Sequence, residues 1–384
     1  MRVLLEGFKL ARGHDTGGVD SYWRNLVPAL LRTAPADCRY TLLSAFLHPR
    51  RAAELQTHRR TGATIRHWWA SPDWLGSAGR AGVPIEWLGG PHDLVHAVEP
   101  VWPFQGRSRL VVTLHDLMYH HQPQYLDPRW AARLEKGTEA LSARASYWIC
   151  VSEHTRRDLV TEFGVPVGRT TVVYHGVDPR FARAAEEPGT QEQVRARHQL
   201  LDRPYFLFLG SVEPKKNLDM LLRAFGRALG RGLEADLAVA GRAGWQSASV
   251  RAAAEALPIL ARRVRFLGFV PQDDLPFLVA GARALVLPSR YEGFGMPVLE
   301  AMAAGAPVLC SNRGALPEVA GGAARIFDAD DEDGLAELLA QVDADALLRD
   351  NLRAAGRTRA LPYTWERCAH ATLAAYRQAL ELPR

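Results

Sequence analysis

Twice along this chain, short apolar runs bounded by turn residues alternate with segments at helical spacing. Strands are expected at 2–6, 40–46, 94–98, 110–114 and 147–151, with helices near 19–32, 128–144 and 153–163. After a polar stretch at 183–203, which contains Glu186-Glu187-Pro188-Gly189, the alternation resumes. Strands are then expected at 205–209, 236–240, 263–267, 284–287, 307–310 and 324–327. Helices are expected near 217–230, 248–256, 273–280, 297–304 and 333–343, followed by a long amphipathic helix over 365–382. Uninterrupted apolar strands separated by helices predict parallel sheets covered on both faces. The fold class is α/β, with two Rossmann-like doubly wound domains. The expected boundaries are 1–182 for the first domain, 183–203 for a linker and 204–363 for the second, with a terminal helix at 364–384 returning to the first. Doubly wound sheets bind ligands outside the carboxyl ends of their strands, so two such domains facing across a cleft would share one site.

Composition narrows the function classes. A chain of 384 residues with 47% hydrophobic and 23% charged residues suits two globular cores. No run of 18 or more apolar residues occurs, so no membrane-spanning helix is expected, and Met1–Glu6 reads as a strand, not a leader. The cysteines at 38, 150, 310 and 368 lie far apart, which argues against a zinc site or a disulfide framework and for a reducing cytosol. The net charge of +5 is uneven. Residues 1–185 hold 23 basic against 17 acidic side chains, leaving 24 against 25 for the rest. A basic first half would suit an anionic acceptor or the surface of a membrane, but a scattered surface excess is the plainer reading. No basic block or nucleic-acid motif is present.

The sharpest motif is Arg290-Tyr291-Glu292-Gly293-Phe294-Gly295-Met296-Pro297-Val298-Leu299-Glu300, which follows a buried strand. Gly293 and Gly295 permit a tight turn close to a ligand, and Pro297 suits a first helical turn. The helix start points N–H groups toward a phosphate. Glu300 lies about one turn inside, where its carboxylate can accept from a ribose diol, and Glu292 lies in the loop, nearer a reacting group.

A second motif, Leu209-Gly210-Ser211-Val212-Glu213-Pro214-Lys215-Lys216-Asn217-Leu218, ends another strand and opens another helix, with Asn217 as the expected N-cap. Two of the chain's four lysines sit together here, suited to a leaving diphosphate. The spacing is neither that of a Walker A loop nor GxGxxG. A third candidate is His115, just past the strand 110–114 and followed by Asp116. A fourth is Thr16-Gly17-Gly18-Val19-Asp20, before the first long helix, where the two glycines allow close backbone approach.

With these residues in view, the chain resembles the GT-B fold glycosyltransferases of family 4, a large retaining group. The resemblance covers nearly the whole chain. It also includes Val151-Ser152, His175-Gly176-Val177-Asp178 and Ser311 to Val319, and its most specific mark is the Glu292-x7-Glu300 pair. The Pro-Lys-Lys-Asn form is similar to the branch of mannosyl- and rhamnosyltransferases of bacterial polysaccharide assembly.

The resemblance implies donor-ribose binding by Glu300, contacts to the donor sugar from Glu292, and stabilisation of the leaving diphosphate by Lys216 with Lys215. It places His115 at the reacting sugar and the Gly17-Gly18 loop beside the diphosphate and acceptor. Gly210, Ser211, Arg290, Gly293, Phe294, Gly295, Met296 and Pro297 complete the expected donor set. Ser211 departs from the pattern, because many members carry an arginine there; Lys215 or Arg290 would supply that charge.

The implied activity is hexosyl transfer from a nucleotide-diphosphate sugar, mannose first, to a glycan or lipid-linked saccharide, with no nucleic-acid partner. No cofactor and no metal are expected, and the acid run at 328–333 reads as a solvated surface. The expected location is cytoplasmic, with peripheral association at the inner membrane face. The oligomeric state stays open. A sugar-nucleotide epimerase on the same scaffold and a non-catalytic sugar-nucleotide-binding partner protein are the alternative functions.

Overall fold

The computed structural model describes residues 1–11, 17–102, 104–244 and 247–383. Its contacts divide the chain into two compact units. One comprises 1–121, 128–176 and 364–384, and the other 122–127 and 177–363.

The first unit holds a seven-stranded parallel sheet. Its strands are β1 (Arg2–Glu6), β2 (Arg39–Ala45), β3 (Thr64–Trp68), β4 (Leu94–Ala97), β5 (Arg109–Leu114), β6 (Tyr147–Cys150) and β7 (Thr170–Val172). Their order is β3-β2-β1-β4-β5-β6-β7. The chain therefore builds outward from β1 in one direction and resumes at β4 in the other, which makes the β1/β4 boundary the switch point. Helix α1 (Gly18–Thr33) follows β1 and buries Tyr22, Trp23, Leu26 and Leu30. The C-terminal helix (Trp365–Glu381) belongs to this unit. The Tyr376 hydroxyl lies 2.6 Å from His96 Nδ1, and Tyr147 donates to Gln378 Oε1 at 2.6 Å, which ties the helix to β4 and β6.

The second unit holds six parallel strands, β8 (Tyr205–Leu209), β9 (Asp236–Ala240), β10 (Val264–Gly268), β11 (Ala284–Leu287), β12 (Val308–Ser311) and β13 (Arg325–Phe327). Their order is β10-β9-β8-β11-β12-β13, so β8 and β11 flank the switch point. Both strands are almost wholly buried, as the runs Tyr-Phe-Leu-Phe-Leu and Ala-Leu-Val-Leu require. Helix α2 (Leu218–Gly230) packs Leu221, Leu222 and Phe225 into a core with Phe206, Phe208 and Leu339. Among the described residues no helix is long and apolar enough to cross a membrane.

The boundaries differ from the expected ones. The division falls between Gly176 and Val177, and the stretch expected to be a linker belongs to the second unit. It contains helix Pro188–Arg197, and helix Pro179–Ala184 reaches into its start. Helix Pro188–Arg197 escapes sequence reading because it is polar nearly all round and buries only Val194. His198 and Arg197 fasten it to Asp274, with His198 Nε2 2.9 Å from the carboxylate. The short edge strands β3 and β7 were not expected either. Beyond the expected helices, Ala346–Ala360 is also helical.

Candidate active site

In the second unit, the expected residues converge at the carboxyl ends of β8 and β11. After β8 the chain turns through Gly210 at φ +151° and a short 3-10 turn, Pro214–Lys216, to α2. Gly241 lets this turn lie close to the end of β9, since a Cβ there would fall 1.8 Å from the Gly210 carbonyl oxygen. The Val212 N–H donates to the Arg242 carbonyl at 2.9 Å, which pins the loop around Ser211.

Asn217 is the N-cap of α2 by position, as expected, and its carbonyl accepts from the Leu221 N–H at 3.3 Å. It is left-handed at φ +57°, and its side chain makes no capping bond. Instead its buried amide donates to the carbonyls of Pro288 at 3.1 Å and Ala329 at 2.8 Å. It thereby ties the lysine turn to the loop after β11.

That tie brings the two sharpest candidates together. Lys216 Nζ donates to Glu292 Oε1 at 2.5 Å, and the Ser289 hydroxyl donates to the same oxygen at 2.7 Å. The two side chains retain only 12% and 13% exposure. Burial pushes the Glu292 carboxyl up, but the Lys216 and Lys215 charges and the two hydrogen bonds outweigh it, and its pKa lies below the ordinary value. An ammonium holding one carboxylate keeps further N–H bonds for a diphosphate.

The Glu292 loop is braced from behind. Ala315 N–H donates to the Glu292 carbonyl at 2.9 Å. Gly314, at φ +61°, lies so close that a Cβ would come within 2.3 Å of that oxygen. Gly295, at φ +92°, precedes helix α3 (Met296–Ala303), with Pro297 in its first turn. The Phe294 ring is buried and packs 6.5 Å from Tyr363. Glu300, on α3, is pushed up to about 7 by withdrawal from water and by the neighbouring charge of Asp178. Asp178 accepts from Arg180 N–H at 2.9 Å to start helix Pro179–Ala184. Sequence reading noted Asp178 only as part of a motif; its closeness to Glu300 is a product of the fold.

Arg290, a candidate for the charge missing at Ser211, pairs with Asp330 at 2.6 Å, and its N–H donates to the Lys215 carbonyl at 2.8 Å. The acid run expected to be solvated lies at the surface, with Asp328 and Asp330 47% and 57% exposed, and there it forms ion pairs. Asp328 and Asp330 meet Arg313, Asp331 caps helix Glu332–Ala344, and Glu332 and Asp333 pair with Arg223 and Arg227.

The first unit places its candidates at the carboxyl ends of β1, β4 and β5. His115 Nε2 lies 3.1 Å from the Val98 carbonyl, which can only accept, so this nitrogen carries the proton. Burial and the Lys9 charge lower the imidazole to about 3. The ring is therefore neutral, and Nδ1 presents a lone pair. It lies edge-on to Tyr22 at 4.9 Å, and Tyr22 meets His175 at 4.6 Å with the rings tilted by 34°. Asp116 accepts from Met118 N–H at 3.2 Å and caps a short helix.

Gly17 opens α1 with no side-chain cap, and a Cβ at Gly17 or Gly18 would meet nothing within 4 Å. Local packing thus does not demand glycine at either position. Thr16 lies outside the described residues. Sequence reading missed a buried ion cluster beside these elements, in which Lys9 Nζ lies 2.8 Å from Glu99 and 3.4 Å from Asp20.

Two doubly wound parallel sheets, each with polar side chains gathered at the carboxyl edge near its switch point, define a two-domain α/β protein of the GT-B class. Solved structures share this fold. The Anabaena HepE structure in complex with UDP-glucose aligns with a TM-score of 0.72 at 17% identity over 98% of this chain and all of that one. Sucrose-phosphate synthase from Thermosynechococcus elongatus aligns with a TM-score of 0.74 at 21% identity over 98% of both.

Residues 16–181 match the family model "Glycosyltransferase Family 4", and residues 190–359 match "Glycosyl transferases group 1". The Escherichia coli O-antigen chain mannosyltransferase B is 32% identical over 277 residues, 70% of each chain. A D-inositol 3-phosphate glycosyltransferase from Kribbella flavida is 30% identical over 71% of this chain and 66% of its own. The chain belongs to glycosyltransferase family 4 and is a transferase enzyme.

Proposed function

We propose that this enzyme moves a hexosyl group, mannose first, from a nucleoside-diphosphate sugar to a glycan or lipid-linked saccharide, with retention at the anomeric carbon. The observation that carries the reading is the buried Lys216–Glu292 pair at the β8/β11 switch point, beside the start of α3. Glycosyl transfer needs charge stabilised on a departing diphosphate, and a preorganised ammonium with aligned N–H groups supplies it in a site short of water. Lys216 serves the leaving group, with Lys215 and Arg290 near it, and Glu300 takes the ribose hydroxyls. Glu292 holds the donor sugar and orients Lys216. His115 Nδ1, unprotonated, accepts from a sugar hydroxyl.

The similarity to a mannosyltransferase supports mannose, and a fold neighbour bound to UDP-glucose supports a nucleotide-sugar donor. The reaction runs without a metal, its cationic role falling to Lys216.

Thermal-shift screening against GDP-, UDP- and dTDP-sugars identifies the donor, because a tight ligand raises the melting temperature by mass action. Radiolabelled transfer from that donor then identifies the acceptor, and NMR of the product gives the anomeric configuration. Transfer that persists in Glu292→Ala and Lys216→Ala, or that stops on chelation by EDTA, contradicts the reading.

A further inference from the structure

We propose that the second unit carries another ligand site, at the edge of its sheet opposite Lys216 and Glu292: an arginine-lined cavity for a small soluble molecule bearing a phosphate group. The cavity, of about 310 Å³, is lined by Arg195, Arg203, Arg283 and Arg353, with Asp202 as the acid among its lining residues. It lies at the amino ends of β8 and β11. The two strands pair in parallel, so the turns that hold Lys216 and Glu292 leave from their other ends. The five residues of β8, at about 3.3 Å each, separate the two edges by roughly 17 Å.

The arginines come from four segments that only the fold gathers. These are helix Pro188–Arg197, the turn before β8, the turn before β11 and helix Ala346–Ala360. Arg195 donates through Nε and Nη2 to the Leu200 carbonyl at 3.2 and 3.0 Å, and its guanidinium lies over the Tyr205 ring at 5.8 Å. A carbonyl orients a guanidinium without neutralising it. Gly281 leaves room for this side chain, since a Cβ there would fall 3.3 Å from Arg195 Cδ. Arg283 donates through Nε to Asp343 at 2.9 Å, and the other oxygen of that carboxylate accepts from the Glu234 and Ala235 N–H groups. Arg353 pairs at 2.8 Å with Asp350, which is 68% exposed. Arg203 is exposed and makes no hydrogen bond or ion pair among the described residues.

Behind the cavity, Arg349 donates to the carbonyls of Val342 at 2.8 Å and Asp343 at 2.6 Å. Withdrawal from water, then the charges of Arg283 and Arg353, hold it below the ordinary arginine range. Five guanidinium groups thus meet the carboxylates of Asp202, Asp343 and Asp350, an excess of two positive charges. Planar N–H forks match the paired oxygens of a phosphate, and a concave site with surplus positive charge suits a dianion. The volume is that of a site for one small molecule.

The test titrates pyrophosphate into the full chain by calorimetry, with sodium chloride holding the ionic strength constant. Variants are Arg203→Ala, Arg353→Ala, Lys216→Met and Arg262→Ala, the last removing an exposed charge outside the cavity. Binding should survive Lys216→Met and Arg262→Ala. It should weaken roughly tenfold in Arg203→Ala and in Arg353→Ala, the loss expected for one charge-assisted contact. Binding abolished by Lys216→Met would place the anion in the donor site and overturn the proposal. So would unchanged affinity in both cavity variants, or an equal loss in Arg262→Ala, which reports bulk charge. Phosphatidic acid vesicles separate the two sources of phosphate. The chain should not sediment with them, and sedimentation that Arg203→Ala abolishes, without pyrophosphate binding, would also overturn it.

Discussion

Replacing Lys216 by methionine keeps most of the side-chain volume and removes the charge opposite Glu292. The carboxylate then stays buried with the Ser289 hydroxyl as its remaining donor from this pair of contacts. Removing one member of a buried pair costs about 3–5 kcal/mol, and with 12–13% exposure left on each side chain the lower end applies. For a domain of this size, about 3 kcal/mol lowers the melting temperature by roughly 6–12 °C. Transfer falls by about 10²–10³, the loss typical of removing one preorganised charge donor.

The double variant Lys216→Met with Glu292→Gln separates the two effects. Without a buried orphan charge its stability returns to within about 1 kcal/mol of wild type, while transfer stays down. The pH dependence follows from the depressed Glu292 pKa. Its stabilising contribution is present above the ordinary value of 4.5 and is lost as pH falls through the folded value. The stability gap between wild type and Lys216→Met should therefore close toward acid. Urea denaturation across pH 3.5–8 and radiolabelled transfer at neutral pH measure both quantities. A single variant as stable as wild type at pH 7, or a double variant with restored transfer, would refute the reasoning.

Three further outcomes are expected. Glu300 holds its proton to about 7 when folded but releases it near 4.5 when unfolded, so its contribution to stability falls as pH rises through that window. Donor affinity should rise with pH through about 7 as the ribose-binding carboxylate forms, and calorimetry on Glu300→Gln should give a weaker, flat profile. Gly314→Ala at φ +61°, with its Cβ forced toward the Glu292 carbonyl, should cost about 2 kcal/mol or more in denaturation and reduce transfer by displacing that loop. Nitrogen NMR of His115 should report a neutral ring protonated at Nε2 from pH 5 to 8; a titration near 6.5 would contradict the buried geometry.

What could be read in the sequence follows its physics. Central strands such as 205–209 and 284–287 are continuous apolar runs because helices cover both faces, and their bounds emerge unchanged. The Glu292 and Lys216 motifs were legible because each sits between such a strand and a helix start, where glycine and proline mark the turn. Edge strand β3 was not, because it exposes Arg66 and places Trp68 at a half-open end. Nor could sequence show that Asn217 bridges two carbonyls, that Asp178 stands beside Glu300, or that Lys9, Asp20 and Glu99 gather in one cluster. Each joins positions brought together only by the order of strands in the sheet.

The most direct measurement is a structure of the enzyme with the nucleoside diphosphate that best protects it against melting. The account predicts the diphosphate within hydrogen-bond distance of Lys216 Nζ and of N–H groups at the start of α3, with both ribose hydroxyls on Glu300. A nucleotide bound away from the β8/β11 switch point, with Lys216 still closed on Glu292 and Glu300 untouched, would contradict it.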